Sequence, residues 1–250
     1  MKTVLITGAG SGFGRGAAIA LAERGHDVIA AVYAADELTE LAATHPELTV
    51  VQLDITDPEA VASVDRWEID VLLNNAGLGQ TGPLSRIPLD LVRRVFEVNV
   101  FGTLAITQRV ATQMKARRSG RILIVSSVAG LLAGPGSGPY SMSKHALQAM
   151  GSALRAELAP FGVDVALINP GPFATGFNDR MADDPGDWFD PADAPPEEVA
   201  FMDQLKQIIT VDQLDPAMVV QRYVELVEAE STELGNLIPA DIVERIMGSH

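Results

Sequence analysis

Tyr140 and Lys144 stand four residues apart in Tyr140-Ser141-Met142-Ser143-Lys144. On a helix that spacing puts both side chains on one face. A free phenol, with a pKa of about 10, is a poor base at neutral pH. A neighbouring cation favours the phenolate, and the tyrosine can then exchange a proton with an alcohol or carbonyl oxygen. The pair alone decides little, because this spacing is common in helices. Ser127 adds to it. It lies just past an apolar run, in Ser126-Ser127-Val128-Ala129-Gly130, where its hydroxyl could hold the same substrate oxygen. A second chemical feature lies near the start of the chain. There Val4-Leu5-Ile6-Thr7 leads into Gly8-Ala9-Gly10-Ser11-Gly12-Phe13-Gly14. Glycines let phosphate oxygens approach the backbone, and a helix N-terminus behind them favours an anion. The spacing is Thr-Gly-x-x-x-Gly-x-Gly, not the commoner G-x-G-x-x-G.

The elements around these residues alternate strand and helix. Strands are expected at 4–7, 28–32, 48–53, 71–74, 121–126 and 163–168, with a last edge strand at 236–239. Helices are expected at 13–24, 38–43, 89–114 and 140–158, the third with a bend near Asn99 and Gly102. Asp57-Pro58-Glu59 reads as a short helix start, with a capping carboxylate and proline at the first helical position. Asp215-Pro216 starts another helix. Residues 171–212 are Pro- and Asp-rich and irregular, with one helix from Pro196 to Gln207. The expected fold class is α/β, a doubly wound parallel sheet in three layers. Residues 1–247 are expected to form a single domain, with ligands at the carboxyl ends of the strands. Residues 248–250 read as a tag remnant.

Composition narrows the function. The formal net charge of -15 argues against nucleic acid and anionic membrane as partners. The chain has no cysteine, which removes disulfides, thiolate nucleophiles and cysteine-bound metals. Its four histidines are scattered, so no metal site is expected. The first residues lack a signal-peptide pattern and no apolar run is long enough to span a membrane, so a cytoplasmic location is expected.

Taken together, these motifs resemble the short-chain dehydrogenase/reductase family in its compact one-domain, Rossmann-fold branch. The resemblance covers nearly the whole chain. It includes the glycine turn, Asp54, Asn74-Asn75-Ala76-Gly77, Asn99, Ser127, Tyr140, Lys144 and Pro170-Gly171-Pro172-Phe173-Ala174-Thr175. It implies a nicotinamide cofactor, NAD or NADP, and hydride transfer between an alcohol and a ketone. By the same resemblance Tyr140 is the general acid/base and Ser127 polarises the substrate oxygen. Lys144 lowers the tyrosine pKa and bonds the nicotinamide ribose, and Asn99 holds a water behind Lys144. Gly8, Ser11, Gly12, Phe13 and Gly14 would cradle the diphosphate. Asp54 and Ile55 would meet the adenine, and Asn75, Ala76 and Gly77 would line the adenosine side. Pro170, Gly171 and Phe173 would flank the cofactor, and Thr175 would bond the nicotinamide amide.

The chain departs from the family pattern where the second strand ends. An acid there accepts bonds from the ribose hydroxyls of NAD, and an arginine there accommodates the extra phosphate of NADP. Val32 and Tyr33 are neither. With no clear cation in an acidic chain, NAD is the expected cofactor. The substrate is expected to be a small, neutral, apolar secondary alcohol or ketone, held by Leu78, Leu131, Leu132, Phe177 and Met181. The acids of 171–212 read as solvated. A homodimer or homotetramer is expected from the family. A non-catalytic NAD(P)-binding sensor of the same fold is the alternative.

Overall fold

In the computed structural model, which describes residues 1–210 and 212–248, apolar β-branched runs form one sheet. Its parallel strands are Thr3–Thr7 (β1), Asp27–Val32 (β2), Thr49–Gln52 (β3), Val71–Asn74 (β4), Gly120–Val125 (β5), Val163–Pro170 (β6) and Gly235–Ile238 (β7). Their order is β3-β2-β1-β4-β5-β6-β7. The helices are Gly12–Glu23 (α1), Ala35–Thr44 (α2), Pro58–Ala62 (α3), Leu89–Phe96 (α4), Thr103–Arg117 (α5), Gly138–Leu158 (α6), Phe177–Asp183 (α7), Pro196–Thr210 (α8), Ala217–Glu228 (α9) and Ile242–Gly248 (α10). This is the Rossmann-type α/β arrangement expected. Among the described residues, no helix is long and apolar enough to cross a membrane.

Side chains of the central strands alternate between two cores. Val4 and Ile6 pack with Ala17, Leu21, Val219 and Tyr223 on one face. Leu5 and Leu72 pack with Ile106, Val110, Met114 and Leu147 on the other. Strands covered on both faces read as unbroken apolar runs, which is why the sequence shows them so plainly. Chain order reverses between β1 and β4. A crevice at the carboxyl ends opens where such a reversal occurs.

Several elements differ from the sequence reading. The bend near Asn99 is a π-helical turn, Glu97–Gly102, between α4 and α5. Helix α2 starts three residues earlier than expected. Ala34 has no side chain able to cap it, but the Glu37 carboxylate accepts the Ala34 N–H at 3.3 Å. Asp36 and Glu37 also suit the positive end of the helix dipole. Asp57 does cap α3, accepting the Glu59 N–H at 2.9 Å. Segment 171–212 holds two helices, α7 and α8, where the sequence suggests one. Gly248, the first residue of the apparent tag remnant, ends α10, a helix absent from the sequence reading. Ser249 and His250 lie outside the described residues.

One polar knot ties the far edge of the sheet to α9. Arg121 is buried, and its guanidinium reaches Asp164 at 3.1 Å and the carbonyls of Leu226 and Ala229 at 2.5 and 2.8 Å. Arg155 and Thr232 bond the same carboxylate at 3.1 and 2.9 Å. Asp164→Ala leaves a buried guanidinium without its counter-ion, which costs about 3 kcal/mol. Urea unfolding of the variant should show that loss, and a change below about 0.5 kcal/mol would refute the assignment.

Candidate active site

The glycine turn is fixed by the residues just past β4. The Thr7 hydroxyl accepts the N–H groups of Asn75 and Ala76, both at 3.1 Å. The Asn75 amide donates to the carbonyls of Thr7 and Gly8 at 3.1 and 3.0 Å. Gly8 has φ +66°, and a Cβ on it would lie 2.8 Å from Ala76 Cα. A Cβ on Gly14 would lie 2.3 Å from the Gly8 carbonyl oxygen, so a larger residue would push α1 off the turn. Ser11 is the N-cap of α1 but makes no side-chain bond to it. The first-turn N–H groups therefore point at the crevice without a side-chain acceptor, a ready anion site.

Ser127 lies just past β5. Its hydroxyl accepts the Ala129 N–H at 3.1 Å and donates to the Pro170 carbonyl at 3.3 Å. Ser126 fixes the facing helix: its hydroxyl donates to the Lys144 carbonyl at 3.0 Å and accepts from Gln148 at 2.9 Å. Helix α6 thus presents Tyr140 and Lys144 to the end of β5, on one face as the spacing predicts. The ammonium of Lys144 sits 5.5 Å from the Tyr140 ring centre and donates to the Val125 carbonyl at 2.8 Å. Asn99, at the π turn, exchanges bonds with both backbone groups of Leu78 at 2.7 and 2.8 Å and donates to Ser143 at 3.0 Å. The turn therefore aims Asn99 between the loop after β4 and α6.

Burial controls the charges here. It pushes the Tyr140 phenol up to about 12, an effect that the Ser127 hydroxyl partly offsets. It pushes the Lys144 ammonium down to about 8. For the phenol this is opposite in direction to the lowering expected from Lys144: burial is the larger cause, and the phenol is protonated at pH 7.

A cavity of about 830 Å³ joins the glycine turn to this group. Gly8, Ser11, Gly12, Phe13, Tyr33, Asp54, Ile55, Asn75, Ala76 and Gly77 line it, together with Ser127, Tyr140 and Lys144. So do Pro170, Gly171, Phe173, Thr175, Leu78, Phe177 and Met181. Other expected residues fall elsewhere. Val32 is fully buried in the core behind the strand end. Gly14 and Asn99 stand behind the wall and act on its geometry. Asn75 contributes surface, but its amide is taken up by the turn. Leu131 and Leu132 are outside the lining, because the 3-10 turn Val128–Gly130 brings Val128 and Ala129 to the cavity and sends the following residues away. Leu131 is 44% exposed. Sequence reading missed Glu37, whose carboxylate reaches the cavity from α2. Its place three residues after Ala34, at a helix start, is the available signal.

A profile of the short chain dehydrogenases matches residues 2–186. The chain belongs to the short-chain dehydrogenase family. Among its relatives are the oxidoreductase YusZ of Bacillus subtilis (strain 168), 40% identical over 70% of this chain and 66% of that protein, and retinol dehydrogenase 8 of Homo sapiens, 37% identical over 72% and 61%. The matches thus span about two thirds of the length of these family members. Two solved short-chain dehydrogenases from Burkholderia superpose on nearly the whole chain. The B. phymatum enzyme, in complex with NAD, has TM-score 0.82 and 28% identity, covering 98% of this chain and 92% of that one. The B. cenocepacia J2315 enzyme, in complex with NADP, has TM-score 0.75 and 28% identity, covering 99% and 93%.

The buried lysine gives the family member a pH signature. Below about pH 8 both folded and unfolded chains carry its proton, and the burial cost is present in full. Between about 8 and 10.5 the unfolded chain binds more proton, so stability rises with pH. Relative to Lys144→Met, wild-type stability should rise by on the order of 2 kcal/mol from about pH 7.5 to about pH 9.5. Urea unfolding of both proteins at the two pH values checks it, and a constant difference would contradict the buried, perturbed lysine.

Proposed function

We propose that this protein is an NAD(P)-dependent oxidoreductase that interconverts a neutral, apolar secondary alcohol and its ketone. The observation that carries this reading is the convergence of Ser127, Tyr140 and Lys144 on one cavity that also contains the glycine turn. The turn fits a dinucleotide. Its bare backbone, the open N-terminus of α1 and the Ser11 hydroxyl suit a diphosphate. Asp54 and Ile55 lie where an adenine would rest, and Thr175 lies beside Gly12, where it would face the nicotinamide end. When bound, the cofactor supplies or accepts the hydride.

The residues of the chain move and hold the proton. Tyr140, neutral at pH 7, donates its hydroxyl proton to the carbonyl oxygen in reduction and takes it back in oxidation. Ser127 donates a hydrogen bond to the same oxygen and fixes its direction. Lys144 steadies the phenolate that forms. Asn99 positions the Leu78 backbone and, through Ser143, the helix that carries Lys144. Apolar lining from Leu78, Val128, Ala129, Phe177 and Met181 supports an apolar substrate, with Phe177 5.7 Å from the Tyr140 ring. The relative named for retinol, a primary alcohol, supports the apolar character of the substrate and not its being secondary. NAD is favoured because the end of β2 offers no cation and Arg15 is paired with Glu40 at 2.7 Å. Exposed Leu89 and Phe101 favour self-association into a dimer or tetramer.

Absorbance assays with NADH and NADPH against a panel of apolar ketones test the reading. Tyr140→Phe should lower turnover by about 10²–10⁴-fold and leave coenzyme affinity nearly unchanged. Full activity in that variant would remove the acid/base role. Tight coenzyme binding with no turnover on any ketone would favour a sensor.

A further inference from the structure

We infer that Glu37 selects NAD over NADP, from the first turn of α2 and not from the strand end. The inference rests on the nicotinamide-cofactor reading above and adds a specificity residue to it. The Glu37 carboxylate lies directly over the glycine turn. A Cβ on Gly10 would be 2.3 Å from its Cδ and 2.5 Å from each of its oxygens. A side chain at position 10 would push the carboxylate aside, so the glycine there leaves room for the acid in this place. The Ala34 N–H holds the carboxylate there at 3.3 Å. Glu37 is half-buried and lines the cavity beside Gly10, Ser11 and Tyr33.

In open α/β sheets of this type, the corner between the second strand and the first turn receives the adenosine ribose. A carboxylate at that corner accepts hydrogen bonds from vicinal ribose hydroxyls. The same carboxylate repels a 2′-phosphate dianion, and like charges set against each other are costly. Among the described residues, no free cation at this corner offsets the repulsion. Arg15 is engaged by both oxygens of Glu40 at 2.7 Å. The other lining cations come from different elements: Arg93 and Arg94 from α4, Lys144 from α6 and Arg180 from α7. Tyr33, which is 66% exposed, contributes a flat surface but no charge.

The test is equilibrium titration of the purified protein with NADH and NADPH, read by reduced-nicotinamide fluorescence, for wild type and Glu37→Gln. Wild type should bind NADH at least about tenfold tighter than NADPH. Glu37→Gln keeps the size and the acceptor for Ala34 but removes the charge. It should bring the two affinities within about threefold, chiefly by tightening NADPH. Raising salt should narrow the wild-type gap and leave that of the variant unmoved, because only the charge repulsion is screened. The salt series in wild type stands even where the variant proves unstable. Equal affinities in wild type, or an unchanged ratio in Glu37→Gln, would overturn the assignment and leave cofactor binding intact. Failure to bind either dinucleotide would overturn both.

Discussion

The site depends on how the ends of β1 and β4 are held together. Thr7 and Asn75 anchor four hydrogen bonds across the reversal in strand order, using one hydroxyl and one amide. Tyr223 donates to the remaining Asn75 oxygen at 3.3 Å from α9. These bonds lie at the mouth of the crevice, where sheet ladders no longer satisfy the backbone. They set the height of the glycine turn above the sheet and hence the direction of α1. The close packing of Gly14 on Gly8 follows from that height. Asn75 lines the cavity, yet its larger contribution is to keep the turn in one shape before a ligand arrives.

The same rigidity governs the end of the cavity at Tyr140 and Lys144. Lys144 is buried beside a backbone carbonyl, and Ser126 anchors its helix to β5. Burial in this corner disfavours both the phenolate and the ammonium. The result is a neutral phenol next to a mostly protonated amine at pH 7, the states that the proposed proton donation requires. A phenolate formed during reaction would be the charge partner that the ammonium lacks in the resting arrangement. Electrostatic stabilisation of this kind is strongest where the dipoles are already in place and water is absent.

What can be read from the sequence follows the range of the interactions involved. The buried strands, the Asp57 cap and the shared face of Tyr140 and Lys144 rest on neighbours a few residues away, and periodicity reports them. The side assigned to Leu131 and Leu132 does not. It depends on a 3-10 turn whose direction is fixed by the bond between Ser127, just past β5, and Pro170, at the end of β6. Val32 and Glu37 show the same limit. A strand end is the expected place for a cofactor-discriminating residue, but Val32 faces the core. The side chain that reaches the turn comes from the next helix, and only folding brings it over Gly10.

Segment 171–212 shows why the substrate half is the least legible. Its helices are held by contacts distant in sequence. The Thr81 hydroxyl donates to the Met181 carbonyl at 2.6 Å, Trp188 packs on Gly82, and Leu205 packs on Gly136. Its acids divide between solvent and structure: Glu198 pairs with Arg86 at 2.8 Å, and Asp190 caps a short turn at Ala192. Part of the apolar surface of the segment is thus consumed in docking it. Trp188 and Leu205 serve that docking, while Phe173, Phe177, Met181, Ile208 and Ile209 line the cavity. The contacts of α7 and α8 at Thr81, Gly82 and Gly136 are separate from the braced turn and the buried lysine, whereas Phe173 and Thr175, earlier in the segment, pack on Phe13 and Gly12 of the turn itself.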